Sequence, residues 1–167
     1  MNTRMAHLMG FLVMIAAPLR PLYATGEAKL MRSDHPQVYH LVQAQLWEPV
    51  VEASGIYYPP TYSIDGFTHG TSNPDKLLSV GNHFYRDVPG KWYCLRMTVE
   101  SLASTGAETI FEGTAPVGDI QADFDGAEDE LFPHILGGIS PAAVQHVYTV
   151  IRAADGTFLA IEGVTDR

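Results

Sequence analysis

Histidine titrates near neutral pH and can donate, accept or bind a metal, and three histidines stand in polar islands within otherwise apolar sequence. His40 follows Tyr39 in a short β-type run, and His69 lies in Asp65–Gly66–Phe67–Thr68–His69–Gly70–Thr71–Ser72. His134 lies in Glu130–Leu131–Phe132–Pro133–His134–Ile135–Leu136–Gly137. The middle island is a Gly-flanked turn entering a helix, where unpaired backbone N–H groups and the positive end of the dipole attract anions. Gly70 would let a phosphate approach the backbone, and Thr71 and Ser72 add hydroxyl donors. The same residues also read as a plain capped helix start. His40 likewise reads as a hydrogen-bonded core residue or a site residue, and His134, after Phe132–Pro133, as a side chain that fixes a turn. Three histidines could hold zinc with one position open for water, although these come from distant segments without a ligand-spacing signature.

Composition narrows the chemistry. There is no Cys–x–x–Cys or His–Glu–x–x–His spacing, which removes the strong zinc and redox signatures. The single cysteine, Cys94, sits in the apolar run Trp92–Tyr93–Cys94–Leu95 and is expected to be a buried packing residue. The net charge is -9, from 19 acids against 10 scattered bases. With no basic stripe to displace counterions from phosphates, nucleic acid is not an expected partner. Asp123–Phe124–Asp125–Gly126 supplies only a fragment of a calcium loop, so the acid-rich stretch Asp119–Glu130 reads as a solvated loop.

Residues 1–34 differ from the rest. Arg4 and His7 precede the apolar stretch Leu8–Leu19, and the first acid is Glu27. That pattern suits a secretory signal cleaved after Ala24, so the expected location is exported, secreted or periplasmic. Arg4, Arg20 and Arg32 also suit a mitochondrial presequence, which is the alternative. The run is shorter than the roughly 20 apolar residues a membrane-spanning helix needs, so membrane contact is expected only through an uncleaved leader. Residues 35–167 are read as a single globular domain.

The elements that must position the histidines follow from periodicity. Val38–Val42 is a strand leading into a helix over Ala44–Ala53, with Leu46, Trp47, Val50 and Val51 on one face and Gly55 as a left-handed cap. Ile56–Tyr58 is extended and Pro59–Pro60 ends it. Ser72 or Asn73 caps a helix beginning at Pro74–Asp75 that turns Leu77, Leu78, Val80 and Phe84 inward. Trp92–Val99 reads as a central strand and Thr109–Glu112 as another. Ser140–Pro141 starts a short helical turn, and Val144–Arg152 with Thr157–Glu162 forms a hairpin across Ala154–Asp155–Gly156. Strands outnumber helices and the helices come early, which predicts an α+β fold with a largely antiparallel sheet.

Tyr39–His40–Leu41, Tyr58–Pro59–Pro60, Asp65–Gly66–Phe67–Thr68–His69 and Phe132–Pro133–His134–Ile135–Leu136–Gly137, in that order, resemble the domain of unknown function 952 family. The resemblance runs from Gln37 to Glu162. It departs from the family pattern at Gly70–Thr71, where the family has Cys–Ser, and at Ile135–Leu136, where it has Leu–Tyr. The resemblance implies an ADP-ribosylation-like fold, with two small, mostly antiparallel sheets, a few helices alongside and a cleft between the sheets. On that footing His40 would hold a ribose, Glu130 would be the stabilising carboxylate with Glu112 second, and His134, the third catalytic candidate, could instead occupy that place without doing the same electrostatic job. Tyr58, His69, Gly70, Thr71 and Ser72 would bind the cofactor.

The expected function is a small-ligand-binding domain with such a cleft, either non-catalytic or of unknown activity. The alternatives are NAD-dependent ADP-ribosyl transfer or NAD glycohydrolysis, with NAD as cofactor, and a metal site built from His40, His69 and His134. A nucleotide, a small anion or a protein partner would be the binding partner.

Overall fold

The first strand, β1 (Gln37–Gln43), buries all five of its middle residues, so it must be covered on both faces. Side chains alternate across a strand. Val38 and Val42 accordingly enter one apolar cluster with Trp47, Leu95 and Ile135, while Tyr39 and Leu41 enter another with Leu77, Trp92 and Phe158. The computed structural model describes residues 35–166, and the expected leader lies outside them.

After β1 come α1 (Ala44–Glu52), α2 (Tyr62–Asp65), β2 (Thr68–His69), α3 (Leu77–Phe84), β3 (Trp92–Thr98) and α4 (Val99–Ala103). The chain closes with β4 (Glu108–Glu112), β5 (Phe132–Leu136), β6 (His146–Arg152) and β7 (Phe158–Ile161). They form a four-stranded sheet in the order β1-β3-β6-β7 and a three-stranded sheet in the order β2-β5-β4. Every pairing of these strands is antiparallel. The mixed α+β architecture with two antiparallel sheets and few helices is therefore as expected, and β3 is a central strand. Cys94 on β3 is fully buried, and desolvation pushes its thiol far above the ordinary range.

One extended segment joins the sheets. Thr71 exchanges both backbone hydrogen bonds with Tyr39, at 2.8 and 2.9 Å, and the Gly70 N–H donates to the Pro133 carbonyl at 2.8 Å. A Cβ at Gly70 would lie 2.9 Å from Pro133 Cγ and 3.2 Å from Val38 Cγ1. Glycine is thus required for the close approach of β1 and β5, not to admit a phosphate. The anion site expected at this turn also loses two donors, because the N–H groups of Gly70 and Thr71 are spent on the protein.

Local chemistry sets the element ends. The Asn73 side chain caps the 3₁₀ turn Pro74–Lys76 by accepting from the Asp75 N–H, and α3 follows directly. Leu77 and Phe84 are buried from it, with Leu78 and Val80 packed partly against the core. Helix α1 ends with Ser54, not Gly55, in the left-handed region at φ 50. The Gly55 N–H bonds the Val50 carbonyl and the Ser54 N–H that of Val51, which satisfies two terminal carbonyls. Val51 is 45% exposed, so the inward face of α1 is narrower than expected.

Two further expectations are corrected. Phe132–Leu136 is the central strand of the second sheet, and His134 stands in its middle instead of fixing a turn. The stretch Asp119–Glu130 is anchored, not simply solvated. Phe124 and Ala127 are buried against Phe84, Val117 and Phe132, and Asp129 pairs with Lys76 at 2.9 Å.

Arg152 ties the β6–β7 hairpin to the segment after α3. Its guanidinium donates to the carbonyls of Gly156 (2.9 Å), Val88 (2.8 Å), Arg86 (2.8 Å) and Tyr85 (3.2 Å). No helix among the described residues is long and apolar enough to cross a membrane.

Candidate functional site

His69 and His134 are direct cross-strand partners of β2 and β5. Opposed residues of an antiparallel pair project to the same face, and the two rings lie 5.7 Å apart at 71°. Phe67 stacks on His134 at 4.0 Å and 18°. Asp65 lies four residues before His69, beyond Gly66, whose left-handed backbone (φ 79) turns the chain out of α2. Its Oδ2 accepts from His69 Nε2 at 3.1 Å and its Oδ1 from the Gly118 N–H at 3.0 Å. The Asp65 side chain is only 4% exposed, so these bonds replace its lost hydration.

His134 Nδ1 is 3.1 Å from Glu112 Oε2. Glu112 pairs across the ladder with Phe132, which places it diagonally from His134 on one face. His40 arrives from the other sheet. The Tyr39–Thr71 pairing draws β1 alongside the segment after β2, and His40 Nδ1 reaches the His69 carbonyl at 2.7 Å.

These contacts assign the tautomers. A carbonyl or carboxylate only accepts, so the ring proton sits on His40 Nδ1, His69 Nε2 and His134 Nδ1, and each ring's other nitrogen is an acceptor. Burial pushes all three histidines below their ordinary pKa, His40 to about 4. Asp65 and Glu112 pull the other way at His69 and His134, but less strongly. Nε2 of His40 and Nε2 of His134 are buried without a hydrogen-bond partner.

The three histidines, with Gly70 and Thr71, line a chamber of about 30 Å³. A larger cavity of about 260 Å³ is walled by Tyr57, Trp92, Phe84, Tyr85, Leu41 and Val117. His40, Leu41, Phe84, Tyr85 and Val117 line both, so the cavities adjoin at His40. Among the described residues neither lining includes a Lys, Arg, Asp or Glu. Burial holds the phenols of Tyr57 and Tyr85 well above the ordinary tyrosine range.

Of the residues expected to form the site, His40, His69, Gly70, Thr71 and His134 converge on the chamber. Ser72 is buried with its Oγ unpartnered but lies outside the lining. Tyr58 is 52% exposed and packs on Tyr62, whereas its neighbour Tyr57 walls the larger cavity. Glu130 accepts from Asn73 Nδ2 at 2.9 Å and lines a different depression, with Gly113 and Glu128. Glu112 is the glutamate that reaches a chamber histidine. No group of three or more His, Cys, Asp or Glu side chains among the described residues could hold a metal ion. Asp65, Tyr57, Phe84 and Tyr85 are additions. The Asp65–Gly66–x–x–His69 spacing held a readable signal for the first; the aromatic walls carried none.

The molecule is thus a small α+β domain with a histidine-lined cleft where its two sheets meet. The family described as Protein of unknown function (DUF952) matches residues 41–147, and the chain belongs to that family. The matched stretch contains His69 and His134 and begins one residue after His40. The crystal structure of protein CC0527 from Caulobacter crescentus is similar, with a TM-score of 0.55 at 17% identity, covering 74% of this chain and 93% of that one. A double-mutant crystal structure of CC0527 has a TM-score of 0.54 at 16% identity with the same coverage. At such identity the likeness concerns the fold alone. No curated protein matches the chain.

Proposed function

We propose that this domain binds a small organic ligand in the cleft between its two sheets, without turning it over, and that the ligand is a nucleoside-bearing molecule of the NAD or ADP-ribose kind. The observation that carries the reading is the aromatic-walled cavity of about 260 Å³ adjoining the histidine chamber. Ligand sites are concave and mostly apolar, with a few placed polar groups, and a cavity of about 150 Å³ already accepts benzene. Two antiparallel sheets meeting at a cleft support the ADP-ribosylation-like fold that the sequence resemblance implies.

Because no cation among the described residues lines either cavity, the ring and ribose would sit inside and the phosphates would face solvent. Glycosidic cleavage of NAD builds positive charge that a nearby carboxylate must stabilise. Glu130 is not in the chamber, and Asp65 and Glu112 are bonded to histidines. That favours binding over turnover.

The test is the melting temperature of the full chain with NAD, ADP-ribose, adenosine and nicotinamide. A ligand at about 100 times its Kd adds about 2.7 kcal/mol of stability. The expected result is a shift with at least one of them that disappears in His40→Ala, measured against that variant's own melting point. No shift with any of the four overturns the proposal.

A further inference from the structure

The geometry points to a hydrogen-bond-donating nitrogen, a primary amine carried on an apolar body, as the group the histidine chamber accepts. This rests on the cleft being a ligand site, as proposed above, and concerns which end of a ligand goes where. Three ring protons are fixed by partners that can only accept. His40 Nδ1 must donate to the His69 carbonyl, His69 Nε2 to Asp65, and His134 Nδ1 to Glu112. The free nitrogens are therefore acceptors, and those of His40 and His134 are buried with nothing to accept from. A buried polar atom left unmatched is destabilising, so the chamber gains from a group that brings N–H bonds to both.

A carboxylate or phosphate brings only lone pairs and would face acceptors. Asp65 and Glu112 accept from one nitrogen of two of the imidazoles, which raises the basicity of each ring's other nitrogen. Among the described residues no Lys or Arg lines the chamber to offset that field. Size agrees as well. About 30 Å³ holds one small polar group, while the adjoining 260 Å³ holds a ring and is walled by Tyr57, Phe84, Tyr85 and Trp92.

The experiment compares benzylamine, benzyl alcohol and benzoate as probes of the full chain at pH 7.5, by melting-temperature shift and by the ¹⁵N imidazole resonances. Benzylamine is expected to bind at least roughly tenfold more tightly than benzoate and to move the Nε2 resonances of His40 and His134, one matched N–H bond being worth about 1–1.5 kcal/mol. Benzyl alcohol, with one donor, falls between them. In His134→Phe, which keeps a ring on Phe67 but lacks the acceptor, benzylamine should weaken more than benzyl alcohol. If that variant does not fold, the resonance shifts of the wild-type protein decide alone.

Benzoate binding as tightly as benzylamine, or benzylamine moving neither Nε2 resonance, overturns the inference. NAD, ADP-ribose or adenosine binding without any benzylamine effect would sink this inference and leave the ligand-binding proposal standing. Benzylamine binding without any of the nucleotides would uphold the donor preference and remove the nucleoside class.

Discussion

His40 Nδ1 donates to the main-chain oxygen of His69 across 2.7 Å, so one strand of the first sheet is hydrogen-bonded, through a side chain, to the residue that opens the second sheet's histidine pair. The bond holds His40 in one tautomer and ties its ring to the backbone of the segment it faces. It requires a proton on Nδ1, which the neutral Nδ1–H tautomer carries, and burial strongly opposes the second proton that would charge the ring.

That burial sets the acid sensitivity of the fold. An unfolded histidine takes its proton near pH 6.5, whereas folded His40 resists until about 4. Between those values the unfolded chain binds the extra proton, so stability is complete above pH 7 and falls as pH drops from 6.5 towards 4. His40 alone accounts for about 3 kcal/mol of that loss, and His69 and His134 shift in the same direction. Urea unfolding at pH 7 and pH 4.5 should show a clear drop in midpoint, and His40→Gln should flatten it. An unchanged wild-type midpoint would refute the prediction.

Asp65 is predicted to hold the His69 tautomer. Asn in its place can still accept from the Gly118 N–H, but its amide nitrogen can then face His69 as a donor. We expect Asp65→Asn to cost about 2 kcal/mol and to move the His69 ring proton from Nε2 to Nδ1. Chemical denaturation and ¹⁵N imidazole spectra check the two halves separately.

Gly70→Ala and Gly113→Ala form a matched pair. The first sets a methyl 2.9 Å from Pro133 Cγ and 3.0 Å from the Pro133 carbonyl, and the second meets nothing within 4 Å. Overpacking of this kind costs about 1–3 kcal/mol, so Gly70→Ala should melt several degrees lower. Gly113→Ala should stay within about 0.5 kcal/mol of the parent.

The two glutamates should separate in binding. Glu112→Gln weakens the partner that orders His134 and should reduce benzylamine affinity about fivefold, worth ~1 kcal/mol. Glu130→Gln, on Asn73 and outside the chamber, should leave it unchanged within about twofold. Equal effects from both would contradict the geometry described.

Cys94 should resist thiol reagents in the native protein, since the reactive form is the thiolate and burial disfavours it here. Ellman's reagent should label it only at the rate of unfolding, with full reaction in denaturant.

What could be read beforehand was what local chemistry decides. The Asn73–Pro74–Asp75 start and the hairpin around Gly156 depend on neighbours in sequence, and both are where the residue types put them. The three histidines were legible as candidates because polar groups in apolar runs need a reason. The strand around Pro133 was not, since proline lacks the N–H a ladder uses and signals a break. Here β2 stops at His69, and Pro133 contributes its carbonyl to Gly70 instead. The choice between Glu112 and Glu130 was also out of reach. It depends on the register of β4 against β5, a pairing across a long acidic loop that sequence order does not report.

Arg152 touches neither cavity, yet Tyr85, whose side chain walls both, has its main-chain oxygen in that guanidinium's grip. The wall is braced from outside before any ligand arrives, so little loop ordering is left to be done on binding. A mutational scan scored by ligand capture would therefore rank Arg152 with the cleft residues. Structurally it belongs to the masonry: a buttress whose removal would blur the cavity's outline without deleting a single contact to its occupant.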